Sequence, residues 1–176
     1  MVSIIIPSCK DPCLQKTVDD LRQKAEGKIE IVVVLDGARA DVKNADIVLV
    51  NEKRIGMRSS INRGVEASHG DYLMKIDAHC MFDQGYDVKL LTDIQDNWVV
   101  IPRRYKLDTS KWEVMDEPPV DYEKLFTDRP DKIGGVYWTG RRLERADIIV
   151  DETMVFQGSC WFMSRKHWDW LGGLQE

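Results

Sequence analysis

Asp77 and His79 are the residues in this chain whose types and spacing are best suited to chemistry. They directly follow an apolar segment, Tyr72–Ile76, that is typical of a strand. In an extended chain end, residues i and i+2 point to the same side, so the two side chains could hold one divalent cation together. An acid-x-His pair at a strand end in an α/β pattern predicts a metal that carries phosphate. The open alternative is an acid that caps a turn, with a histidine packed beside it.

The preceding elements would position this pair at the edge of a sheet. Aliphatic runs predict four strands at Val2–Ile6, Ile29–Leu35, Ile47–Val50 and Tyr72–Ile76. Apolar residues at helical spacing predict helices over Asp11–Ala25 and Arg58–Ser68. This alternation favours an α/β fold with a mostly parallel sheet covered on both faces. Ligands of such sheets bind at the carboxyl ends of the strands, where Pro7-Ser8, Asp36-Gly37 and Asp77-Ala78-His79 are expected to converge.

The second half of the chain is less regular. The sequence predicts a strand at Trp98–Pro102, a candidate strand at Ile148–Val150 and a short helix at His167–Leu171. The segment between Asp108 and Gly140 is rich in loop-forming residues. Two interpretations of it stay open, an insert that recognises an acceptor and passive packing.

Composition narrows the class of protein. The 176 residues fit one domain, and 43% hydrophobic with 31% charged residues is typical of a soluble globular protein. The net charge of -5 provides no overall basic field for nucleic acid. The four cysteines form no C-x-x-C pairs, which disfavours a zinc ribbon and favours free thiols over a disulfide. The chain shows neither a secretory signal nor a transmembrane segment, so we expect a cytoplasmic protein.

Several segments, taken in order, resemble the GT-A glycosyltransferases, especially those of family 2. These segments are Val2–Ser8, Glu30–Gly37, Arg54–Arg58, Asn62–Gly64, Asp77–His79, Phe156–Phe162 and Leu171–Gly173. Two positions depart from the common pattern: Leu35 replaces the first of two acids, and His79 stands where most members carry aspartate. The Asp-x-His form followed by Cys80 is similar to the polypeptide N-acetylgalactosaminyltransferases.

The resemblance implies a GT-A (Rossmann-like) domain over residues 1–176, with helices on both faces of the sheet. Residues 1–100 would be the nucleotide-sugar-binding half and residues 101–176 the acceptor-side half. In the family, the catalytic base of inverting members comes from a region beyond the turn that Leu171–Gly173 resembles. That base is therefore expected past Glu176, and the chain is either a fragment or a short member.

The implied activity is a metal-dependent transfer of a sugar, hexosyl or N-acetylhexosaminyl, from a nucleotide-sugar donor to an acceptor. A UDP-sugar is the favoured donor, and the acceptor would be a glycan, a lipid-linked molecule or a protein. A carboxylate–imidazole pair favours Mn²⁺ over Mg²⁺, which prefers oxygen ligands alone.

The resemblance also assigns roles to individual residues. The predicted donor-binding residues are Pro7, Ser8, Asp36, Arg58 and Asp77, the predicted metal ligands are Asp77 and His79, and Trp161 is the candidate sugar platform. Each has a plainer alternative: strand termination for Pro7 and Ser8, a turn for Asp36, a solvated charge for Arg58 and core packing for Trp161. Arg54 is a second candidate for the phosphates.

Two other functions stay open at this point. One is a nucleotide-sugar-binding module without turnover. The other is a nucleotidylyltransferase, although Pro7–Asp11 is not the Gly-rich loop that this class carries after its first strand. A dinucleotide-binding dehydrogenase is disfavoured further, because no G-x-G-x-x-G follows the first strand.

Overall fold

Aliphatic runs in the first half of the chain form the strands that the sequence predicts. The computed structural model describes residues 1–129, 131–155 and 158–175. In chain order the elements are β1 (Val2–Ser8), α1 (Leu14–Lys24), β2 (Ile29–Asp36), β3 (Ile47–Asn51), α2 (Met57–Glu66), β4 (Tyr72–Ile76), α3 (Tyr86–Thr92), β5 (Leu107–Asp108), β6 (Glu113–Val114), β7 (Glu123–Arg129), β8 (Lys132–Tyr137), α4 (Thr139–Glu144), β9 (Cys160–Ser164) and α5 (Arg165–Leu171).

Five of these strands form one sheet in the order β3-β2-β1-β4-β9. Strands β1 to β4 are mutually parallel, and β9 pairs antiparallel with β4. Side chains of successive residues in β1 point to opposite faces of the sheet. Ile4 and Ile6 pack with α1 and α3, whereas Ile5 packs with α2 and α5. The predicted mostly parallel sheet with helices on both faces is therefore confirmed.

Contacts divide the chain into two units. The first contains residues 1–101 and residues from 158 onward, and the second contains residues 102–157. Residues 158–175 lie in the first unit because β9 completes its sheet. The division into a nucleotide-sugar-binding half (residues 1–100) and an acceptor-side half (residues 101–176) stays a prediction. The assignment of the whole chain to one domain stays a prediction.

Several element bounds differ from the prediction for identifiable reasons. Helix α1 begins at Leu14 because Asp11 Oδ1 accepts a hydrogen bond from the Cys13 N–H (2.8 Å), forming a local turn around Pro12. The predicted strand at Trp98–Pro102 is wrong: Val100 alone bridges to Phe162. The candidate strand at Ile148–Val150 is also wrong. Helix α3 was not predicted.

The second unit contains more structure than its loop-rich sequence indicates. Strands β5 and β6 form a short antiparallel pair, and β7 and β8 form a hairpin. The Tyr122 hydroxyl donates to Asp151 Oδ2 (2.7 Å), and the guanidinium of Arg145 pairs with the same oxygen at 2.8 Å. None of the helices in the described part of the chain has the length and apolar character needed to cross a bilayer.

Candidate functional site

The carboxyl ends of the parallel strands bring the predicted site residues to one edge of the sheet. Ser8 ends β1, Asp36 ends β2, and Asp77 directly follows β4. The order β3-β2-β1-β4 places the topological switch between β1 and β4, where open α/β sheets bind ligands. Because β9 is antiparallel, its start lies at the same edge, and the Asp77 N–H donates to the Ser159 carbonyl (2.9 Å).

Asp77 is paired with Lys75, which was not among the predicted site residues. The side chain of Lys75 is 1% exposed, and its ammonium donates to Asp77 Oδ1 (2.5 Å) and to the Gly158 carbonyl. The Asp77 side chain remains 31% exposed. A buried ammonium is costly unless an opposite charge and hydrogen bonds compensate it, and Asp77 supplies both. The sequence does contain a signal that could have identified Lys75, because it is a lysine inside the otherwise apolar strand β4.

His79 is positioned by a turn and by a second carboxylate. Strand β4 ends at Ile76, and Ala78 and His79 lie in a turn, so the extended geometry assumed from the sequence does not reach His79. The Thr17 hydroxyl fixes this turn by donating to the Ala78 carbonyl (2.9 Å) and accepting from the Cys80 N–H (3.1 Å). His79 Nδ1 lies 2.8 Å from Asp11 Oδ2, and the ring is 52% exposed.

Cys80 follows the pair as a packed thiol. Burial, reinforced by the negative charge of Asp77, raises the pKa of the Cys80 thiol to about 11. The thiol is therefore protonated at neutral pH. Within residues 1–129, 131–155 and 158–175, no group of three or more His, Cys, Asp or Glu side chains is arranged to hold a metal ion.

Asp36 holds the loop that leads into α2. Its Oδ1 accepts from the Ile55 N–H (2.8 Å) and the Asn51 amide (3.0 Å), and its Oδ2 accepts from the Gly56 N–H (3.0 Å). Burial acts to raise the pKa of Asp36, but these hydrogen bonds outweigh it and lower the pKa below its ordinary value. The predicted contact of Asp36 with a base or ribose stays a prediction.

Pro7, Ser8 and Arg58 lie around the same edge. Pro7 is half-buried, and Ser8 Oγ is buried with no hydrogen-bond partner among the described residues. Arg58 is exposed in the first turn of α2, and Arg54 is exposed in the loop before it. A pocket of about 260 Å³ lies beside the ends of β2 and β3, lined in part by Lys10, Gly37, Arg39, Asn51 and Glu52.

Trp161 is buried in the core and does not line this edge. It is 4% exposed and stacks on Trp168 with ring centroids 5.4 Å apart, inside the core on the α2 and α5 face. A sugar platform needs an exposed ring face, so this position gives no support to the predicted role of Trp161. The neighbouring Phe156 and Gln157, part of the same sequence resemblance, lie outside the described residues.

A solved protein structure shares this architecture. The structure is similar to that of the mannosyltransferase PcManGT from Pyrobaculum calidifontis, which was solved in complex with GDP-Man and Mn²⁺. The sequence identity is 15% and the TM-score is 0.60. The match covers 99% of this chain and 47% of that one, so the chain spans about half the length of that enzyme. The predicted GT-A fold is confirmed.

Two structures of S. aureus TarS 1-349 are more distant. The structure in complex with UDP-GlcNAc is 16% identical, with coverage of 51% of this chain and 29% of that chain and a TM-score of 0.44. The other is 17% identical, with coverage of 51% and 30% and a TM-score of 0.43.

No curated protein matches the chain. The sequence pattern described as Glycosyl transferase family 2 matches residues 3–171, which is nearly the whole chain. The chain therefore belongs to glycosyl transferase family 2.

Proposed function

We propose that the chain is the catalytic domain, or part of it, of a metal-dependent glycosyltransferase that uses a nucleotide-sugar donor. The observation that carries this proposal is the position of Asp77 and His79 at the switch point of the sheet, in a member of glycosyl transferase family 2. Ser8 and Asp36 end the neighbouring strands at the same edge.

Asp77 and His79 are the residues that would hold the cation. A divalent cation bound there would act as a Lewis acid for the diphosphate leaving group. The residues fit such an ion, because both side chains are partly exposed at the edge and bear an oxygen and a nitrogen donor. With two protein ligands, the other coordination positions fall to phosphate oxygens and water, as in many phosphate-carrying sites. The imidazole favours Mn²⁺ over Mg²⁺.

The remaining donor contacts are assigned to groups around the edge. The pocket beside β2 and β3 would take the nucleoside. Pro7 and Ser8 end the neighbouring strand β1 and would contribute from there. The exposed guanidinium of Arg58 would pair with the diphosphate, for which its planar fork is well suited. Asp36 would act mainly through the loop that it holds, since that loop leads directly into the turn of α2 that carries Arg58.

The donor class is proposed from the Asp-x-His motif and the family. We favour a UDP-sugar, hexosyl or N-acetylhexosaminyl, transferred to a glycan, lipid-linked or protein acceptor. PcManGT was solved with GDP-Man, so GDP-mannose belongs in the same panel of donors as UDP-glucose and UDP-N-acetylglucosamine.

Calorimetry with UDP, with and without Mn²⁺, tests this proposal. Asp77→Ala and His79→Ala should each weaken the Mn²⁺-dependent binding at least tenfold, because each removes one ligand. His167→Ala and Asp169→Ala, on α5, are the matched controls and should bind as the wild type does. Binding that is independent of metal, or unchanged in Asp77→Ala, would contradict the proposal.

Turnover distinguishes the alternatives. Release of UDP from a UDP-sugar that depends on His79 supports a transferase. Tight binding without hydrolysis or transfer to any acceptor tested would indicate a nucleotide-sugar-binding module. Formation of pyrophosphate from UTP and a sugar 1-phosphate would indicate a nucleotidylyltransferase.

A further inference from the structure

Each of the two proposed metal ligands already engages one partner through one atom. Asp77 contacts Lys75 through Oδ1, and His79 contacts Asp11 through Nδ1. We propose, on the basis of the metal-dependent function above, that Lys75 and Asp11 are positioning residues of the cation site. They leave Asp77 Oδ2 and His79 Nε2 as the atoms that bind the ion.

Asp11 sets which nitrogen of His79 is available. A carboxylate accepts hydrogen bonds only, so Nδ1 must carry the proton in the 2.8 Å contact with Asp11 Oδ2, and the lone pair is left on Nε2. Asp11 is itself held, because its Oδ1 accepts from the Cys13 N–H at 2.8 Å. A carboxylate that accepts a hydrogen bond from a metal-binding imidazole in this way fixes the tautomer and the orientation of the ring.

Lys75 sets how Asp77 binds. Lys75 is paired with Trp161 in the sheet and is almost fully buried, so its ammonium cannot leave Asp77 for solvent. Because the positive charge of that ammonium lies against Oδ1, it disfavours a cation at this oxygen, and Asp77 would bind the ion through Oδ2 alone. The Gly158 carbonyl, which Lys75 also binds, ties the start of β9 to the same point.

The two positioning residues carry opposite charges and should have opposite effects on metal affinity. The carboxylate of Asp11 favours a cation at His79, so Asp11→Ala should weaken Mn²⁺ binding by about 10- to 100-fold. The ammonium of Lys75 repels a cation at Asp77. Lys75→Met removes that charge, and we expect Mn²⁺ to bind about tenfold more tightly.

The test is a titration of the full chain with Mn²⁺ alone. The electron paramagnetic resonance signal of free Mn²⁺ monitors how much of the ion is bound. The variants are Asp77→Ala, His79→Ala, Asp11→Ala, Asp11→Asn and Lys75→Met, with the surface change Asp19→Ala as control. Asp11→Asn keeps a hydrogen-bond acceptor without the charge, so its affinity should lie between those of the wild type and Asp11→Ala. Spin-echo modulation from the His79 nitrogen should be present in the wild type and altered in Asp11→Ala.

Urea unfolding of every variant shows whether it is folded. If Lys75→Met does not fold, Lys75→Gln replaces it. This variant removes the charge while keeping a donor for Asp77, and the expected gain in affinity is the same.

The outcomes separate the two proposals. Loss of binding in Asp77→Ala and His79→Ala, weaker binding in Asp11→Ala and tighter binding in Lys75→Met support both. Wild-type affinity in Asp11→Ala and Lys75→Met, with loss in the two ligand variants, overturns the positioning roles and leaves the proposed function standing. Unchanged affinity in Asp77→Ala and His79→Ala overturns the proposed cation site itself. Weaker binding in the charge-removing Lys75 variant overturns the role assigned to that residue.

Discussion

Both carboxylate oxygens of Asp36 are committed within the protein. They accept from two successive backbone N–H groups, those of Ile55 and Gly56, and from the amide of Asn51. Gly56 has a positive φ of 94°, which glycine adopts at little cost. One 5%-exposed carboxylate therefore fixes the backbone that turns into α2. The residue type at this strand end was predicted to serve a ligand, and the structure shows that it first serves a loop.

We predict that Asp36→Ala lowers the free energy of unfolding by about 2 kcal/mol, because it leaves the donors of the loop without their acceptor. Asp36→Asn retains one acceptor oxygen and should cost less. Urea unfolding measures both, with the exposed Asp41→Ala as control at less than about 0.5 kcal/mol. An Asp36→Ala variant as stable as the control would show that water replaces the carboxylate.

The same variants carry a pH dependence. Since the folded-state pKa of Asp36 lies below its unfolded value, its contribution to stability is present above the unfolded pKa and is lost as the pH falls through the folded pKa. The stability difference between the wild type and Asp36→Asn should therefore shrink as the solution is acidified from neutrality. A difference that is constant with pH would contradict this.

At the scale of elements, continuous patterns were predictable and tertiary pairings were not. The aliphatic runs of β1 to β4 and the helical spacing in α1 and α2 were sufficient to predict those elements. Helix α3 was missed because it is short and is stabilised by distant contacts. Its buried Asp87 accepts from the Glu26 and Gly27 N–H groups at 3.0 and 2.7 Å. The apolar run at Trp98–Pro102 failed as a strand because only Val100 meets a partner.

In the candidate site too, the residues of a local motif were predictable from the sequence, whereas their distant partners were not. Asp77 and His79 were predicted as site residues because of their types and of their spacing after a strand. Asp11 was not predicted, because its pairing with His79 depends on where the loop after β1 lies, 68 residues away along the chain. Lys75 was not predicted either, although a lysine inside an apolar strand was a visible signal. Asn51 was missed for the same reason as Asp11, since its bond to Asp36 follows from the register of β2 and β3.

Gly64 shows how closely an element must approach the sheet. A Cβ on Gly64 of α2 would lie 2.5 Å from Ile5 Cγ2 and 3.1 Å from Val34 Cγ2. We predict that Gly64→Ala lowers the free energy of unfolding by about 1–3 kcal/mol, since α2 must move away from β1 and β2. Gly140→Ala in α4, where a Cβ meets nothing within 4 Å, is the matched control. It should be neutral or slightly stabilising in the same urea measurement, and equal losses in the two variants would contradict the packing argument.

At the scale of the whole molecule, the second unit is an insertion between two parts of the first. The chain leaves the first unit after Ile101 and returns at Gly158. Val100 and Phe162 exchange two backbone hydrogen bonds of 2.8 Å, so the chain leaves and returns at neighbouring points of the first unit. Such an arrangement is typical of insertions that a domain tolerates.

We predict that replacing residues 102–157 with about four Gly and Ser residues leaves the first unit folded, because a short hairpin can join the paired segments. Cooperative urea unfolding, monitored by the fluorescence of the buried Trp161 and Trp168, is the measurement. Adding Phe162→Ala should then cost about 3–5 kcal/mol if β9 still occupies its place beside β4. Gradual unfolding, or no effect of Phe162→Ala, would show that the inserted unit is needed for the sheet.

The antiparallel pairing of β9 with β4 also constrains how the protein is made. The residues of β9 are translated more than eighty positions after their partners in β4. At roughly 5–20 residues per second, β4 waits several seconds on the ribosome with one row of backbone groups unpaired. A free strand edge beside Leu73 and Met74 is a template for pairing between nascent chains. Translation that stops before residue 160 should therefore yield an aggregating product rather than a smaller folded one.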